Sequence, residues 1–423
     1  MEQLTEKLFY EFKIFSATFF KVRSMTKIDI FIQESIFIIL LITFNLFGEF
    51  NFKVYGQTDD FLKYRADVLS SEVINGQTVR KLIGNVVLNQ KNYILKSDLG
   101  TFFQEENRFI FEGSVEFDDG VKKLISDKVV YDNNEKTFYF DKGIKLFKGK
   151  NTLTADKGIY YNDEKRVYCE GNVKFIDSVQ TFTCGKAEFF EESENIIAYD
   201  NLIFENFNEN ITIMGGKGNY FGKEDFIEVS EKPVMVLKEN STEMTITGEK
   251  LEFFNKTSKV IASKNVEILR DNLKARCNIA EYVMKNGEEK IILKEDPVIF
   301  QDGSDIRGKQ IELLLKDKNI YKLNVIEDAV ATMTADTLDY ENELKGKNIY
   351  IFLKENKIEK MIAERNAESI YYLFENGESQ GANAVSGERI TLYFAGEDIE
   401  RVIVEGGGEG IFYPSHIVSE SKK

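Results

Sequence analysis

The chain has 423 residues, of which 13% are aromatic and three are proline, and its formal net charge is −16. This composition is typical of a folded protein, and the excess of acids argues against binding to nucleic-acid phosphates or to an anionic membrane surface. Phe, Tyr, Ile and Val favour strands, and Asn, Asp and Gly recur between them as turn residues, so the predicted fold class is all-β.

The N-terminal segment predicts export. Residues 36–47, IFIILLITFNLF, are too few to cross a bilayer comfortably but suit the apolar core of a signal peptide. Cleavage after Gly56 is one interpretation, and an uncleaved anchor in the inner membrane is the other. Either would place the rest of the chain in the periplasm. Residues 1–24 are interpreted as an upstream start, because Met25 opens a more typical leader.

An internal repeat follows in residues 57–340. Aligned on the apolar residue that opens a strand after each small turn, the chain repeats every 29 residues at first and every 32 residues later. A constant step indicates stacked repeats rather than separate globular domains. The aligned residues are Val86, Val115, Ile144, Val173, Leu202, Val234, Val266, Val298 and Val330.

Apolar and polar residues alternate inside each repeat, as in VYCEGNVKF at residues 167–175. This period of two predicts half-buried strands with one apolar face. The phrase TADK at residues 154–157 has variants at the same place in other repeats, which predicts a bend where strands approach closely. The candidate groove-lining residues are Val86, Val115, Phe117, Ile144, Leu146, Val173, Phe175, Leu202, Phe204, Val234, Val266, Ile268, Val298, Phe300 and Val330.

The repetition continues in a different style through residues 341–414. An Ile follows three residues after each of Gly308, Gly346 and Gly387, and another follows twelve residues after each glycine. Residues 415–423 read as a short polar tail.

The apolar face of so small a repeat must be buried by stacking, and two shapes satisfy this requirement. The face could line an open groove, which would be a binding site, or it could be the packed core of a closed β-solenoid or fibre. Abundant inward Phe favours the packed core. Lys142 and Asp200, expected at inward positions, favour an open edge.

The repeat phrases resemble those of the LptA/OstA-like proteins of lipopolysaccharide transport. The resembling residues are TADK at 154–157 with Tyr161, EGNVK at 170–174 and SGERI at 386–390, within roughly residues 65–414. The resemblance implies an elongated antiparallel β-jellyroll in the periplasm, an open rolled sheet whose apolar groove carries lipopolysaccharide or a related acylated glycolipid from inner to outer membrane. Its implied partners are an inner-membrane export complex, an outer-membrane barrel translocon and further copies joined head to tail.

Residues for catalysis are scarce. His416 is the only histidine, which argues against multi-histidine metal sites and a Ser-His-Asp triad. No phosphate-binding loop appears, so neither enzyme activity nor a cofactor is expected, although paired carboxylates leave a glycosidase as a remote alternative. Cys169, Cys184 and Cys277 lack metal-site spacing. Buried thiols are the favoured interpretation, and a disulfide between Cys169 and Cys184 is the alternative.

Overall fold

The computed structural model describes residues 63–420 apart from residues 91–92, 119, 177, 179, 191, 194, 208–209, 225, 240–241, 255–256, 258, 286–287, 302, 317–318, 335–339, 356, 376–377 and 397. The predicted leader at residues 36–47 and its cleavage after Gly56 lie outside these residues.

The described chain is built almost wholly of strands, as predicted. One short helix follows the last strand, where the sequence predicted a polar tail. In chain order the elements are β1 Lys63–Arg65, β2 Val68–Ile74, β3 Gln77–Gln90, β4 Tyr93–Phe103, β5 Arg108–Asp118, β6 Lys122–Asp132, β7 Thr137–Lys148, β8 Asn151–Ala155, β9 Lys157–Tyr161, β10 Arg166–Ile176, β11 Gln180–Phe190, β12 Asn195–Asn206, β13 Ile211–Phe221, β14 Phe226–Ser230, β15 Val234–Glu239, β16 Thr242–Thr247, β17 Lys250–Phe254, β18 Lys259–Arg270, β19 Leu273–Lys285, β20 Glu288–Lys294, β21 Val298–Gln301, β22 Ser304–Arg307, β23 Gln310–Lys316, β24 Asn319–Thr334, β25 Glu341–Lys354, β26 Lys357–Glu375, β27 Glu378–Ala395, β28 Asp398–Glu405, β29 Glu409–Pro414 and α1 Ser415–Glu420.

These strands form one antiparallel sheet that is folded lengthwise into two layers. β10 shows the principle, because its residues 166–170 pair with β9 whereas residues 174–176 pair with β8. Each long strand therefore gives one half to each layer. Layer A comprises residues 68–74, 77–83, 99–103, 108–112, 128–132, 137–141, 157–161, 166–170, 186–190, 195–199, 217–221, 226–230, 250–254, 259–263, 279–285, 288–294, 310–316, 319–326, 348–354, 357–364, 389–395 and 398–405. Layer B comprises residues 63–65, 86–90, 93–97, 115–118, 122–126, 144–148, 151–155, 173–176, 180–184, 202–206, 211–215, 234–239, 242–247, 266–270, 273–277, 298–301, 304–307, 329–334, 341–346, 367–375, 378–387 and 409–414.

The chain passes between the layers at two-residue corners, where both residues have positive φ. At one corner φ is 78° for Gly171 and 47° for Asn172. Gly and Asn adopt this left-handed region most readily, which explains the repeated Gly-Asn phrase. The corner pairs are Gly84/Asn85, Gly113/Ser114, Lys142/Gly143, Gly171/Asn172, Asp200/Asn201, Glu231/Lys232, Lys264/Asn265, Glu295/Asp296, Glu327/Asp328, Arg365/Asn366 and Gly406/Gly407.

The TADK phrase has its explanation at the same corner. Asp156 lies between β8 and β9, and its backbone N–H donates to the Gly171 carbonyl at 2.9 Å or less, at 2.8 Å. The Asn172 side chain in turn donates to Asp156 Oδ2 at 2.8 Å. Lys142 and Asp200 belong to corners as well and are exposed there, so their prediction as inward residues is wrong.

The residue that directly follows a corner pair points into the space between the layers. Leu202 and Val266 occupy this place and are buried. After three other corners the same place holds Pro233, Pro297 or Ala329, which shifts the next residue to the outer face. The inward prediction is therefore off by one residue at four positions, namely Val234, Val298, Phe300 and Val330, all of which are half-buried.

Pairing partners confirm that these residues face outward. Val298 lies opposite the exposed Arg276, and Val330 lies opposite Arg307 and Lys345. Arg276 also stacks over the ring of Phe300, with 6.0 Å from the guanidinium carbon to the ring centroid.

The core runs along the whole molecule between the layers. The C-terminal glycine pattern belongs to it, because Ile311, Ile349 and Ile390 are fully buried. Gly308 itself lies so near the opposite strand that a Cβ there would come within 2.6 Å of Val325 Cγ1. The repeat thus continues through the C-terminal strands.

Candidate functional site

The space between the layers has one closed side and one open side. Hairpin connections join strands of the same layer, and only the corners carry the chain from one layer to the other. We call the line of corners the closed side and the opposite line of hairpin ends the open side. The two layers are thus covalently joined along the closed side only.

A cavity of about 90 Å³ lies between the layers in the N-terminal half of the roll. Layer B contributes Val173, Phe175, Leu202 and Phe204 to it, as the alternating pattern predicted. The remaining lining residues are Leu153, Phe182, Phe189, Ile196, Ala198, Ile213, Gly218, Asn219, Tyr220, Ile227, Val229 and Phe253. The cavity is almost entirely apolar, so it suits hydrocarbon rather than a polar ligand.

The other predicted groove-lining residues lie in the same interior but not at the cavity. Val86, Val115, Phe117, Ile144 and Leu146 are buried on the N-terminal side of it. Val266 and Ile268 are buried on the C-terminal side.

The sequence prediction missed the wall of the cavity that layer A supplies. Phe189, Ile196, Tyr220, Ile227 and Phe253 lie opposite one another on successive strands and form a row across this layer. The same alternation marks them in the sequence, but they precede the corner or lie in the intervening strand. An alignment on the residue after each corner leaves them out.

Aromatic side chains continue this row toward the N-terminus. The ring centroids of Phe102 and Phe109 lie 4.3 Å apart, as do those of Tyr131 and Phe138. Tyr160 follows at 6.3 Å from Phe138. Such contacts add to the burial of apolar area and make the wall smooth and uncharged.

Charges lie on the outer faces instead. Glu116 receives Lys123 Nζ at 2.7 Å and Lys96 Nζ at 3.3 Å from the two flanking strands. The hydrogen bond from Lys123 is the main cause that holds the pKa of Glu116 below its ordinary value. Exposed pairs of this kind contribute little stability each, but they keep the outer surface polar.

The three cysteines are free thiols that fill the interior. Cys169 and Cys184 lie on the paired strands β10 and β11, as predicted. Burial raises the pKa of Cys169, Cys184 and Cys277 to about 12. The thiols are therefore protonated at neutral pH, and a protonated thiol is neither a good nucleophile nor a metal ligand.

Two further features were searched for within the described residues. No group of His, Cys, Asp or Glu side chains in that part of the chain is arranged to hold a metal ion. No helix there has both the length and the apolar character that a membrane crossing requires.

Comparison with known proteins identifies the family. Residues 60–162 and 160–266 each match the family described as OstA-like protein. Among solved structures the chain is similar to LptH, described as the LptA-homologous periplasmic component of the lipopolysaccharide transport device of Pseudomonas aeruginosa. The identity is 17%, the match covers 34% of this chain and 95% of that chain, and the TM-score is 0.26. No curated protein matches the chain. Through its two consecutive OstA-like segments, the chain belongs to the LptA/OstA-like family that its repeat phrases predicted.

Proposed function

We propose that this protein is a periplasmic carrier that holds the acyl chains of lipopolysaccharide, or of a related acylated glycolipid, between its two layers. The observation that carries the proposal is the apolar cavity lined by Val173, Phe175, Leu202 and Phe204 from layer B and by aromatic and aliphatic side chains from layer A. Membership of the OstA-like family supports the same cargo class. Binding would require no catalytic group and no cofactor.

Loading would widen the space between the layers. The cavity of about 90 Å³ is well below the roughly 300–1,000 Å³ typical of ligand pockets. The layers are joined only at the corners, so the open side can separate while every strand keeps its pairing partners. Acyl chains would then replace contacts between the two apolar walls, and the loss of one apolar contact would be offset by another.

The two end strands supply the route to partners. Within the described residues, β2 pairs only with β3, and β28 pairs only with β27. β2 also exposes Val68, Leu69 and Val73. A free strand edge accepts a further strand, so we propose that copies join head to tail and that the end strands meet an inner-membrane complex and an outer-membrane barrel. The predicted leader at residues 36–47 would deliver the protein to that compartment, cleaved or as an anchor.

A structural role is the second candidate. It takes the molecule as a closed β-solenoid without cargo, and one observation favours it. From Ile291 to Leu392 most interior side chains are completely buried, which is the packing of a core rather than of a groove.

Photo-crosslinking in cells distinguishes the two functions. The crosslinking residue is placed at Val173 or Phe175, which face the cavity, and at Lys174 between them, which is exposed and serves as the matched control. A carrier gives lipopolysaccharide adducts at the two inward positions and none at Lys174. Absence of adducts at both inward positions in exported, folded protein would reject the carrier and leave the structural role.

A further inference from the structure

The interior changes its character along the roll. A single row of paired residues crosses layer A from end to end, and its members are largely aromatic as far as Tyr282 and wholly aliphatic afterwards. In order the row is Phe102, Phe109, Tyr131, Phe138, Tyr160, Val167, Phe189, Ile196, Tyr220, Ile227, Phe253, Val260, Tyr282, Ile291, Leu313, Leu323, Ile351, Met361, Leu392 and Val402.

Packing changes at the same place. Leu313, Leu323, Ile351 and Met361 have 0% exposed surface, so they touch neither solvent nor a void that could hold a water molecule. Phe189, in the aromatic part of the row, retains 9% and borders the cavity. The aromatic part therefore encloses free space, and the aliphatic part is filled.

Small side chains bring the layers together in the C-terminal part. Ala329 and Ala331 on layer B face the interior, as do Ala363 on layer A and Ala367 on layer B. Alanine at an inward position lets the opposite wall approach closely. Close-packed interiors of this kind have no room for an inserted hydrocarbon chain unless the walls move apart.

A hydrogen bond crosses the open side where the filled part begins. Arg270 is the last residue of β18 in layer B, and Asn319 is the first residue of β24 in layer A. Arg270 Nη2 donates to Asn319 Oδ1 at 2.6 Å, and the Arg270 side chain is almost wholly buried. A hydrogen bond to a charged group links the free edges of the two layers at this point.

We propose that the roll has two functional parts, a cargo-holding part that ends near Arg270 and a solid pillar from about residue 291 to residue 404 that lipid does not enter. This inference rests on the proposed carrier function. The OstA-like segments end at residue 266, which coincides with the end of the cargo-holding part. Lipid would consequently enter and leave through the open side or the N-terminal end, and it would not travel the full length of the molecule.

Tryptophan fluorescence in the full chain tests the proposal, since the protein contains no tryptophan of its own. Single variants Phe204→Trp and Phe253→Trp place the reporter at the cavity, and Phe394→Trp places it in the pillar, where Phe394 packs against the core. Phe300→Trp, on the outer face, is the control for lipid adsorbed on the surface. The probe is dibromostearic acid, whose bromine atoms quench a tryptophan only on close approach.

The expected result is loss of most of the fluorescence of Phe204→Trp and Phe253→Trp, with Phe394→Trp and Phe300→Trp unchanged. Quenching of Phe394→Trp to the same extent as Phe204→Trp would overturn the two-part division and leave the carrier function standing. No quenching in any variant, with circular dichroism showing each to be folded, would reject the carrier function itself.

Discussion

At the scale of single residues, the corner determines which amino acids recur. Gly171 has φ of 78°, and a Cβ on it would lie 2.4 Å from Asp156 Oδ2. The glycine is therefore required twice, for its backbone conformation and for the approach of the aspartate that bonds Asn172. The repeated TAD and GN phrases are thus the two halves of one structural unit.

This account predicts different costs for two glycine substitutions. Gly171→Ala adds a clash to a left-handed backbone and should lower the free energy of unfolding by about 2–3 kcal/mol. Gly120→Ala is the matched control, because its φ is 83° but nothing lies within 4 Å of the added Cβ. It should lose only about 1 kcal/mol. Urea unfolding followed by circular dichroism measures both, and equal losses would mean that the aspartate contact is unimportant.

At the scale of the strand, the residue after each corner sets which side chains are inside. In β21 this places Ile299 in the core and Val298 on the outer face, opposite Arg276. The assignment rests on Pro297, which follows the corner directly and takes the inward place.

Neighbouring substitutions in β21 test the assignment. Ile299→Asp buries a carboxylate without a partner and should cost roughly 3 kcal/mol or more, enough to unfold this part of the roll. Val298→Asp brings a carboxylate near Arg276 and should change the stability by less than about 1 kcal/mol. The thermal midpoint of each variant gives the answer, and a larger effect at Val298 would restore the register read from the sequence.

The same strand shows how far the sequence alone could lead. Alternation and the 29-residue step revealed the all-β repeat and the inward residues up to Leu202, because each corner there is followed at once by a large apolar residue. From Pro233 onward a proline or alanine intervenes at several corners, and a valine one place later imitates the earlier pattern. Alternation also looks the same in an open groove and in a filled core, so the C-terminal pillar could not be distinguished by sequence.

At the scale of the whole molecule, the two end strands are the places where the sheet can grow. We expect association that increases with protein concentration in analytical ultracentrifugation. Leu69→Lys combined with Val73→Lys on β2 should weaken it by roughly tenfold or more, since charged side chains on an edge strand oppose further pairing. Ile203→Lys alters an exposed residue of an internal strand and should leave association unchanged. A monomer at every concentration would contradict end-to-end assembly.

The order of the strands also bears on how the chain acquires its structure. Each described strand pairs with strands that are near it in the sequence, and no described strand waits for a partner from the far end of the chain. Sheets built from such local pairings have a low contact order for a β protein, and their stability is a sum of neighbouring interfaces. A chain of this topology can fold progressively as it emerges from a membrane, so that the cargo-holding strands are complete before the pillar has been delivered.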